Sequence, residues 1–316
     1  MYIGIDIGGT NTAVGLVDCN GRILSKSSIP TLKNIGYKHI VRNISNVVKT
    51  VVNQSGFNIE HVKSIGVGCP GTPDTANGII LYSCNLNFNN VPLTAELQKY
   101  IDLPVFLEND ANCAALAESI AGATKDAKHS VTVTLGTGVG CGIIINKKIY
   151  SGFNNSASEM GHSIIRMDGE QCTCGRKGCW EAYASVAALQ RQAIAAAQQN
   201  PSSLIAALTQ GDVQNINGEV VFDAARKGDA TAIDIIQNYA IYVAEGVTNI
   251  INILSPQVVA IGGGISAQGE YFIEPVREYV RKHVYCKVAE QTLIRVAQLS
   301  NDAGIIGAAM LCIDNA

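Results

Sequence analysis

The feature that most constrains the fold is a strand–turn–strand pattern that occurs twice. Residues 2–17 alternate as two strands around Gly8-Gly9-Thr10, and residues 131–145 do the same around Gly136-Thr137-Gly138. The two segments align, including the glycine after the first strand of each, if a gap of one residue is allowed. Two similar hairpins, each opening an α/β half, predict a duplicated fold.

The rest of the chain supplies elements for two such halves. Its 316 residues are enough for two domains, each with its own core. Predicted helices span 38–54, 111–120, 270–283 and 303–312, and predicted strands span 22–29, 64–69, 105–108, 258–261 and 293–298. We expect a domain of residues 1–115, joined by the C-terminal helix at about 300–316, and a larger domain of residues 116–299 that contains the cysteine-rich loop.

Composition and charge argue against several classes of protein. Hydrophobic residues make up 47% and charged residues 16%, a balance typical of a compact soluble enzyme. The net charge is −3 with scattered lysines and arginines, so no nucleic-acid partner is expected. No apolar run is long enough to span a membrane, and the N-terminus lacks the basic region of a signal peptide. These features predict a cytoplasmic protein without a membrane partner.

Three glycine-rich turns follow predicted strands and are candidate phosphate-binding loops. They are Gly8-Gly9-Thr10-Asn11, residues 136–140 and Gly262-Gly263-Gly264. Glycine lets the backbone approach a phosphate with its N–H groups turned inward, and threonine hydroxyls add donors. Any one of them alone is more simply explained as a tight connection between strands. The chain contains no P-loop pattern and no dinucleotide-binding pattern that opens a helix.

Two carboxylates stand near the ends of predicted strands. Asp6 lies in the first strand, and Asn109 and Asp110 lie where a strand ends and a helix begins. Ligands of α/β proteins bind at the carboxyl ends of strands, so Asp110 is a candidate base for a phosphoryl-acceptor hydroxyl. The alternative is structural: Asn109 or Asp110 caps the helix, and Asp6 is a turn residue.

Four potential metal ligands lie within 18 residues: His162, Cys172, Cys174 and Cys179. Three thiolates and one imidazole match a closed, tetrahedral, structural zinc site, so no metal catalysis is expected. The alternative is a disulfide, which is uncommon in a cytosolic protein. The other seven cysteines stand singly and are interpreted as small buried hydrophobic residues.

Two glutamates, Glu159 and Glu181, flank this cluster. A zinc ion would fix both on one rigid loop, where two carboxylates and an imidazole can bind sugar hydroxyls. Either glutamate alone is more commonly a solvated surface residue. The sugar-binding interpretation therefore depends on the combination.

The order and combination of these motifs resemble a known family. The three glycine loops resemble the two phosphate loops and the adenosine loop of the actin-like sugar kinases. The combined pattern resembles, from end to end, the ROK family (repressors, open reading frames, sugar kinases). The residues that carry the resemblance are Asp6-Ile7-Gly8-Gly9-Thr10, Glu108-Asn109-Asp110, residues 135–140, Glu159-Met160-Gly161-His162 and Cys172-x-Cys174-Gly175-x-x-Gly178-Cys179-x-Glu181. The resemblance implies an α/β, actin-like ATPase (sugar kinase/RNase H-like) fold, with two domains flanking a cleft and a duplicated βββαβα core.

The resemblance also implies a role for each matching residue. Asp110 is the implied base, ATP and Mg²⁺ are implied with Asp6 reaching the metal through water, and a structural Zn²⁺ is implied on the four ligands. His162 would bind zinc through one ring nitrogen and the sugar through the other. The implied sugar-binding residues are Gly71, Asn109, Asp110, Glu159, His162 and Glu181. The implied nucleotide-binding residues are Asp6, Gly8, Gly9, Thr10, Asn11, Thr137, Gly138, Gly262, Gly263 and Gly264.

The activity implied by the resemblance is ATP-dependent phosphorylation of a hexose, with glucose as the first candidate. The alternatives are an N-acetylhexosamine, fructose or allose kinase of the same family, and a non-catalytic sugar sensor. Phe88 stands where many relatives have tryptophan, so this loop does not indicate which sugar is preferred. Repressors of the family carry a DNA-binding segment before the first glycine loop, and only five residues precede Asp6 here. Polyphosphate-using relatives lack the cysteine cluster, which favours ATP, and relatives imply a homodimer or homotetramer.

Overall fold

The structure, a computed structural model, describes residues 1–314. These residues form two compact units. Unit 1 contains Met1–Thr132, Gly142–Ser158 and the C-terminal residues from Gln298, and unit 2 contains Val133–Cys141 and Glu159–Ala297. The domain division near residue 115 stays a prediction.

Strands and helices alternate along the chain. The strands are β1 (Tyr2–Ile7), β2 (Asn11–Val17), β3 (Ile23–Pro30), β4 (Ile65–Cys69), β5 (Thr72–Asp74), β6 (Ile79–Ser83), β7 (Phe88–Val91), β8 (Val105–Asn109), β9 (Ser130–Leu135), β10 (Val139–Ile145), β11 (Lys148–Ile149), β12 (Val258–Gly262) and β13 (Leu293–Val296). The α-helices are α1 (Tyr37–Gln54), α2 (Leu93–Gln98), α3 (Asp110–Ala121), α4 (Glu181–Ala184), α5 (Val186–Gln199), α6 (Leu204–Leu208), α7 (Gly218–Arg226), α8 (Ala230–Leu254), α9 (Glu270–His283) and α10 (Ala303–Asp314).

The two large sheets share one topology. The first has the order β3-β2-β1-β4-β8, in which β1 and β2 are antiparallel while β1, β4 and β8 run parallel. The second has the order β11-β10-β9-β12-β13, with β12 parallel to β13. Each sheet places three consecutive strands beside two later ones, in the same order. The duplicated α/β fold is therefore confirmed.

Successive side chains of β1 point to opposite faces of the first sheet, so alternate residues pack against different helices of unit 1. Ile3, Ile5 and Ile7 are fully buried in a cluster with apolar residues of α1, including Val41 and Val48. These α1 residues recur at helical spacing, which is why the helix was predictable from the sequence. Burying this stripe against the sheet forms the main core of the unit.

The opposite face of the first sheet lies very close to α10. A Cβ atom on Gly4 would overlap the carbonyl oxygen of Ile305, and one on Gly66 would overlap that of Ala308. Backbone thus packs directly on backbone, and a side chain at either glycine would push the helix away. Asp6 lies on the same face as Gly4, because side chains two residues apart in a strand point the same way.

Three regions contain strands or α-helices that the sequence analysis did not predict. Residues 72–98 form a small three-stranded sheet of β5, β6 and β7 and the helix α2, and residues 148–149 form the short strand β11. Residues 181–254 form the helices α4 to α8, which range from four to 25 residues. The shortest of these elements carry too little periodicity to be recognised, whereas α5, α7 and α8 are long enough to show a period and were missed all the same. None of the helices in residues 1–314 is both long and apolar enough to cross a membrane.

Candidate active site

The carboxyl ends of three parallel strands bring the predicted residues of unit 1 to one edge of the first sheet. In the strand register, Asp6 of β1 pairs with Gly68 of β4, and Gly68 pairs with Glu108 of β8. The turn after β4 carries Gly71. We call residues 108–110, where β8 ends and α3 begins, the base loop. These residues lie at the same edge of the sheet. Ligand sites of α/β proteins occupy such edges.

Asn109 holds the base loop in place. As the N-cap of α3, its Oδ1 accepts hydrogen bonds from the backbone N–H groups of Ala111 at 2.9 Å and Asn112 at 3.3 Å. Its Nδ2 donates to the carbonyl oxygen of Gly71 at 3.0 Å. Asp110 is the first residue of the helix, and its Oδ1 accepts from the N–H of Ala111 at 3.0 Å. Asn109 therefore caps the helix and also ties the Gly71 turn to the base loop.

Asp6 interacts electrostatically with Asp110. Burial, reinforced by the negative charge of Asp110, raises the pKa of Asp6 to about 7. The first turn of α10 crowds the same group, because a Cβ atom on Gly304 would overlap the Asp6 carboxylate. Two carboxylates kept close together against their repulsion are typical of a functional site.

We expect Asp6→Asn to stabilise the protein, and more so at pH 8 than at pH 5. The folded pKa of about 7 lies above the ordinary value of 3.8 for an aspartate, so the wild type loses stability as the pH rises between these values. Asparagine removes this cost, which is about 1.4 kcal/mol per pKa unit. Thermal unfolding of both proteins at pH 5 and pH 8 measures the difference in stability. A variant less stable than the wild type at pH 8 would contradict the electrostatic account.

Thr31 supports the first glycine loop from behind. It is buried; its hydroxyl donates to the carbonyl oxygen of Gly8 at 2.7 Å, and its N–H donates to that of Thr10 at 2.8 Å. The N–H of Gly8 donates to the carbonyl oxygen of Asn11 at 2.9 Å and closes the turn. The loop is therefore held in one conformation by a residue outside every motif considered above.

In unit 2 the second and third glycine loops adjoin. Gly263 has a φ of +87°, and a Cβ atom there would overlap the carbonyl oxygen of Leu135 at the end of β9. The next residue, Gly136, accepts a hydrogen bond from the N–H of Val186, the first residue of α5, at 2.8 Å. The structure thus brings the loop containing Thr137 together with the loop at Gly262-Gly263-Gly264.

Glu181 links the second glycine loop to the cysteine cluster. Its Oε2 accepts a hydrogen bond from the N–H of Val139 at 3.0 Å, and a Cβ atom on Gly138 would overlap this carboxylate. Its Oε1 accepts from the hydroxyl of Thr173 at 3.2 Å and lies 3.8 Å from Cys172 Sγ. One carboxylate therefore joins two segments that the sequence analysis treated separately.

Glu159, another predicted sugar-binding residue of unit 2, lies within electrostatic range of both His162 and Glu181. Desolvation raises the pKa of Glu159, while His162 lowers it and Glu181 raises it. A single turn brings Glu159 and His162 together, with the His162 N–H donating to the Glu159 carbonyl oxygen at 3.1 Å. Two carboxylates and an imidazole therefore share one small region of unit 2.

The four potential metal ligands converge. Their ligand atoms all lie within 4.8 Å of one another. His162 Nδ1 lies 3.6 Å from Cys172 Sγ, and Cys174 Sγ lies 3.6 Å from Cys179 Sγ. Two sulfurs of a tetrahedral site with Zn–S bonds of ~2.3 Å are ~3.8 Å apart, whereas a disulfide requires about 2.0 Å. The donor set and its spacing fit zinc and do not fit a disulfide.

Trp180 anchors the end of the cysteine loop. It follows Cys179, is fully buried, and its indole N–H donates to the carbonyl oxygen of Tyr242 on α8 at 2.8 Å. Gly246 lies beneath the indole ring, where a Cβ atom would overlap it. The loop is therefore fixed to the longest helix of unit 2.

Both units carry motifs of one family, and the whole-chain comparison agrees: the ROK family matches residues 2–315. The chain belongs to the ROK family. A glucokinase from Thermotoga maritima is 37% identical over 98% of this chain and 96% of its own length. A ROK family glucokinase from Streptomyces griseus, solved in complex with glucose and AMPPNP, is 35% identical, with a TM-score of 0.86 over 98% of both chains. A ROK hexokinase from Thermus thermophilus is 31% identical, with a TM-score of 0.83 over 100% of this chain and 99% of that one. The actin-like fold expected from the ROK resemblance is confirmed.

Glu118 is a second supporting residue of this ROK protein that the sequence analysis missed. It is buried in α3, and its carboxylate accepts hydrogen bonds from the backbone N–H groups of Ala123 at 2.6 Å, Gln298 at 3.0 Å and Leu299 at 2.8 Å. It thereby fixes the segment that enters α10. A charged residue inside an otherwise apolar helical run was the available signal, whereas Thr31 carried none.

Proposed function

We propose that this chain is an ATP-dependent kinase that converts glucose to glucose 6-phosphate. The observation that carries the proposal is full-length similarity to ROK glucokinases in a chain that keeps Asp6 and Asp110 close at one sheet edge. The S. griseus relative was solved with glucose and AMPPNP, which supports the same pair of ligands here.

In this proposal Asp110 is the catalytic base. It orients the attacking hydroxyl of the hexose and takes its proton as the new O–P bond forms, while the γ-phosphoryl group leaves ADP. Asn109 and Gly71 bind the sugar beside it, and Glu159, His162 and Glu181 bind its other hydroxyls. Selectivity among hexoses rests on such hydrogen bonds, because a site built for a hydroxyl strongly rejects a sugar lacking it.

The glycine loops hold the nucleotide in the same proposal. Residues 8–11, with Thr137 and Gly138, bind the phosphates through backbone N–H and hydroxyl groups, and residues 262–264 border the adenosine. Mg²⁺ bound with ATP would supply positive charge beside the transferring phosphoryl group. Asp6, whose pKa is raised by burial and by Asp110, would hold a water molecule of that ion once ionised.

A structural zinc ion completes the proposal. His162, Cys172, Cys174 and Cys179 would hold it, and it would supply rigidity to the loop that carries Glu159 and Glu181. The sugar side of the site would then depend on the metal although the metal performs no chemistry.

We expect Thr31→Val to weaken nucleotide binding about three- to tenfold, because it removes a partly buried hydrogen bond to Gly8 worth about 0.5–1.5 kcal/mol, along with the contact between the Thr31 and Thr12 hydroxyls. Valine keeps the volume, so the glucose KM should stay unchanged. Titration with AMPPNP measures the effect. The matched control is Thr50→Val, because the Thr50 hydroxyl bonds its own helix at Asn46. Equal nucleotide affinities of the two variants would contradict the supporting role of Thr31.

A homodimeric or homotetrameric assembly and a cytoplasmic location, with no nucleic-acid or membrane partner, are further parts of the proposal. The family resemblance supports the assembly. The composition and charge of the chain support the cytoplasmic location and the lack of a nucleic-acid or membrane partner. Mass measurement in solution tests the assembly, and a monomer at working concentration would contradict it.

An assay of ADP release with ATP, Mg²⁺ and a panel of hexoses tests the activity. We expect the highest kcat/KM with glucose. A clear preference for an N-acetylhexosamine, fructose or allose would keep the kinase and correct the substrate. Absence of turnover with every sugar, together with retained sugar binding, would favour a non-catalytic sensor.

A further inference from the structure

Glu108 is a buried carboxylate whose two oxygens serve different parts of unit 1. It is only 6% exposed. Its Oε1 accepts from the N–H of Asn109 at 2.8 Å and from Nδ2 of Asn112 at 3.0 Å. Its Oε2 accepts from the hydroxyl of Ser151 at 3.0 Å. Burying a carboxylate is costly unless it is hydrogen-bonded, so these donors fix it firmly.

Ser151 opens a segment that ends immediately before Glu159. The segment closes on itself, because the N–H of Ala157 donates to the carbonyl oxygen of Ser151 at 3.0 Å. Gly152 supports this closure, since a Cβ atom there would lie only 3.0 Å from the Cβ of Ala157. Ser151 and Ala157 are therefore held together within unit 1.

The backbone of this segment is also strained at its end. Ser158, the residue before Glu159, has a φ of +73°, a conformation that non-glycine residues adopt only when their surroundings impose it. The hydrogen bond between Ser151 and Glu108 is one of the contacts that hold the segment. Strain beside a proposed ligand residue is characteristic of a position that must be kept accurate.

We infer that Glu108 and Ser151 are positioning residues, which together hold the base loop in the geometry that binds the sugar. The inference rests on the proposed function. One oxygen of Glu108 holds the backbone and side chain that flank Asp110, and the other is held by Ser151, at the start of a segment that closes on itself. A single side chain thereby ties the base loop to residues 151–158 within unit 1.

The test is steady-state kinetics of Ser151→Ala against Ser156→Ala. Ser156 lies in the same segment but is exposed, and its hydroxyl makes a local contact with Asn154. We expect Ser151→Ala to raise the glucose KM about tenfold, the effect of losing one hydrogen bond to a charged group. The ATP KM should match that of Ser156→Ala, whereas Tm should be lower in Ser151→Ala, because one oxygen of the buried Glu108 carboxylate loses its donor. A glucose KM within twofold of the control, or a parallel rise in the ATP KM, would overturn the inference.

Glu108→Gln provides the second variant. Glutamine keeps Oε1 for the base loop, and its amide can donate to the Ser151 hydroxyl, so the glucose KM should stay within about threefold of wild type. A tenfold rise in this variant would assign the effect to the charge and overturn the positioning contact. Turnover of the wild type on the hexose panel tests the kinase activity separately. The positioning role of Glu108 and Ser151 is tested by the ratio of the glucose KM of each variant to that of its control.

Discussion

Asp110→Asn is expected to lower kcat by about 10²–10⁴, the usual contribution of a positioned base. The glucose KM should stay within a few-fold, because asparagine keeps the size and an acceptor oxygen for the Ala111 N–H that Asp110 bonds at 3.0 Å. Asparagine also removes the charge that, after burial, is the second cause of the raised pKa of Asp6, so nucleotide binding should be retained or improved. Initial rates with saturating glucose and ATP measure the change.

Asp102→Asn is the matched control, since Asp102 is exposed in the same unit and lies outside the base loop. It should keep wild-type kcat. Near-normal turnover of Asp110→Asn, with AMPPNP binding intact, would refute the assignment of the base. Loss of both turnover and glucose affinity would instead indicate a structural role at the start of α3.

Cys172→Ala is expected to abolish measurable glucose binding although the residue touches no sugar in the proposal. Cys172 Sγ lies 3.6 Å from His162 Nδ1 and 3.8 Å from Glu181 Oε1, so it adjoins two proposed sugar ligands. Structural zinc contributes directly to folding of its loop, so loss of one ligand should disorder the loop. Elemental analysis should find one zinc per wild-type chain and almost none in the variant, and calorimetric titration should measure glucose affinity.

Of the seven single cysteines expected to be buried, Cys19, Cys84 and Cys286 are in fact exposed. Cys286→Ala is the control, because Cys286 belongs to the same unit as the metal cluster but lies outside it. It should keep both zinc and glucose affinity. A metal-free wild-type preparation with full activity, or normal glucose affinity in Cys172→Ala, would rule out this account. Nucleotide binding should be affected less than glucose binding, since the Glu181 contact to Val139 reaches only one of the glycine loops.

The predictable parts of this site are those encoded by short segments of sequence. The two hairpins, the base loop and the four metal ligands each depend on residues within about 20 positions, so spacing alone carries the signal. Parallel pairing of β1, β4 and β8 then brings distant motifs together without further information. The sequence could not decide whether Asn109 and Asp110 cap the helix or serve the site, because both roles use the same residue types at a strand–helix junction.

The supporting residues were not predictable for the opposite reason. Thr31 contacts a residue 23 positions away, Glu108 one 43 positions away and Glu118 one 180 positions away. A single threonine or serine carries no local sign of such a contact, because its type is common in turns and at the surface. Among the helices between residues 181 and 254, α4 and α6 could not be predicted, because elements of four and five residues hold too few apolar positions for a period to appear. Length does not explain why the 25-residue α8 was missed.

The direct backbone packing of α10 on Gly4 and Gly66 has a consequence for how the chain matures during synthesis. The strands that need this helix are made long before it, since β1 ends at Ile7 and α10 begins at Ala303. Translation releases the N-terminal part of a chain first, yet here the first sheet keeps one face bare until α10 emerges. Contacts between residues far apart in the sequence form slowly, so unit 1 is completed only after α10 has been made. Asp6 acquires its crowded surroundings only when α10 docks, so a nascent chain remains inactive until then.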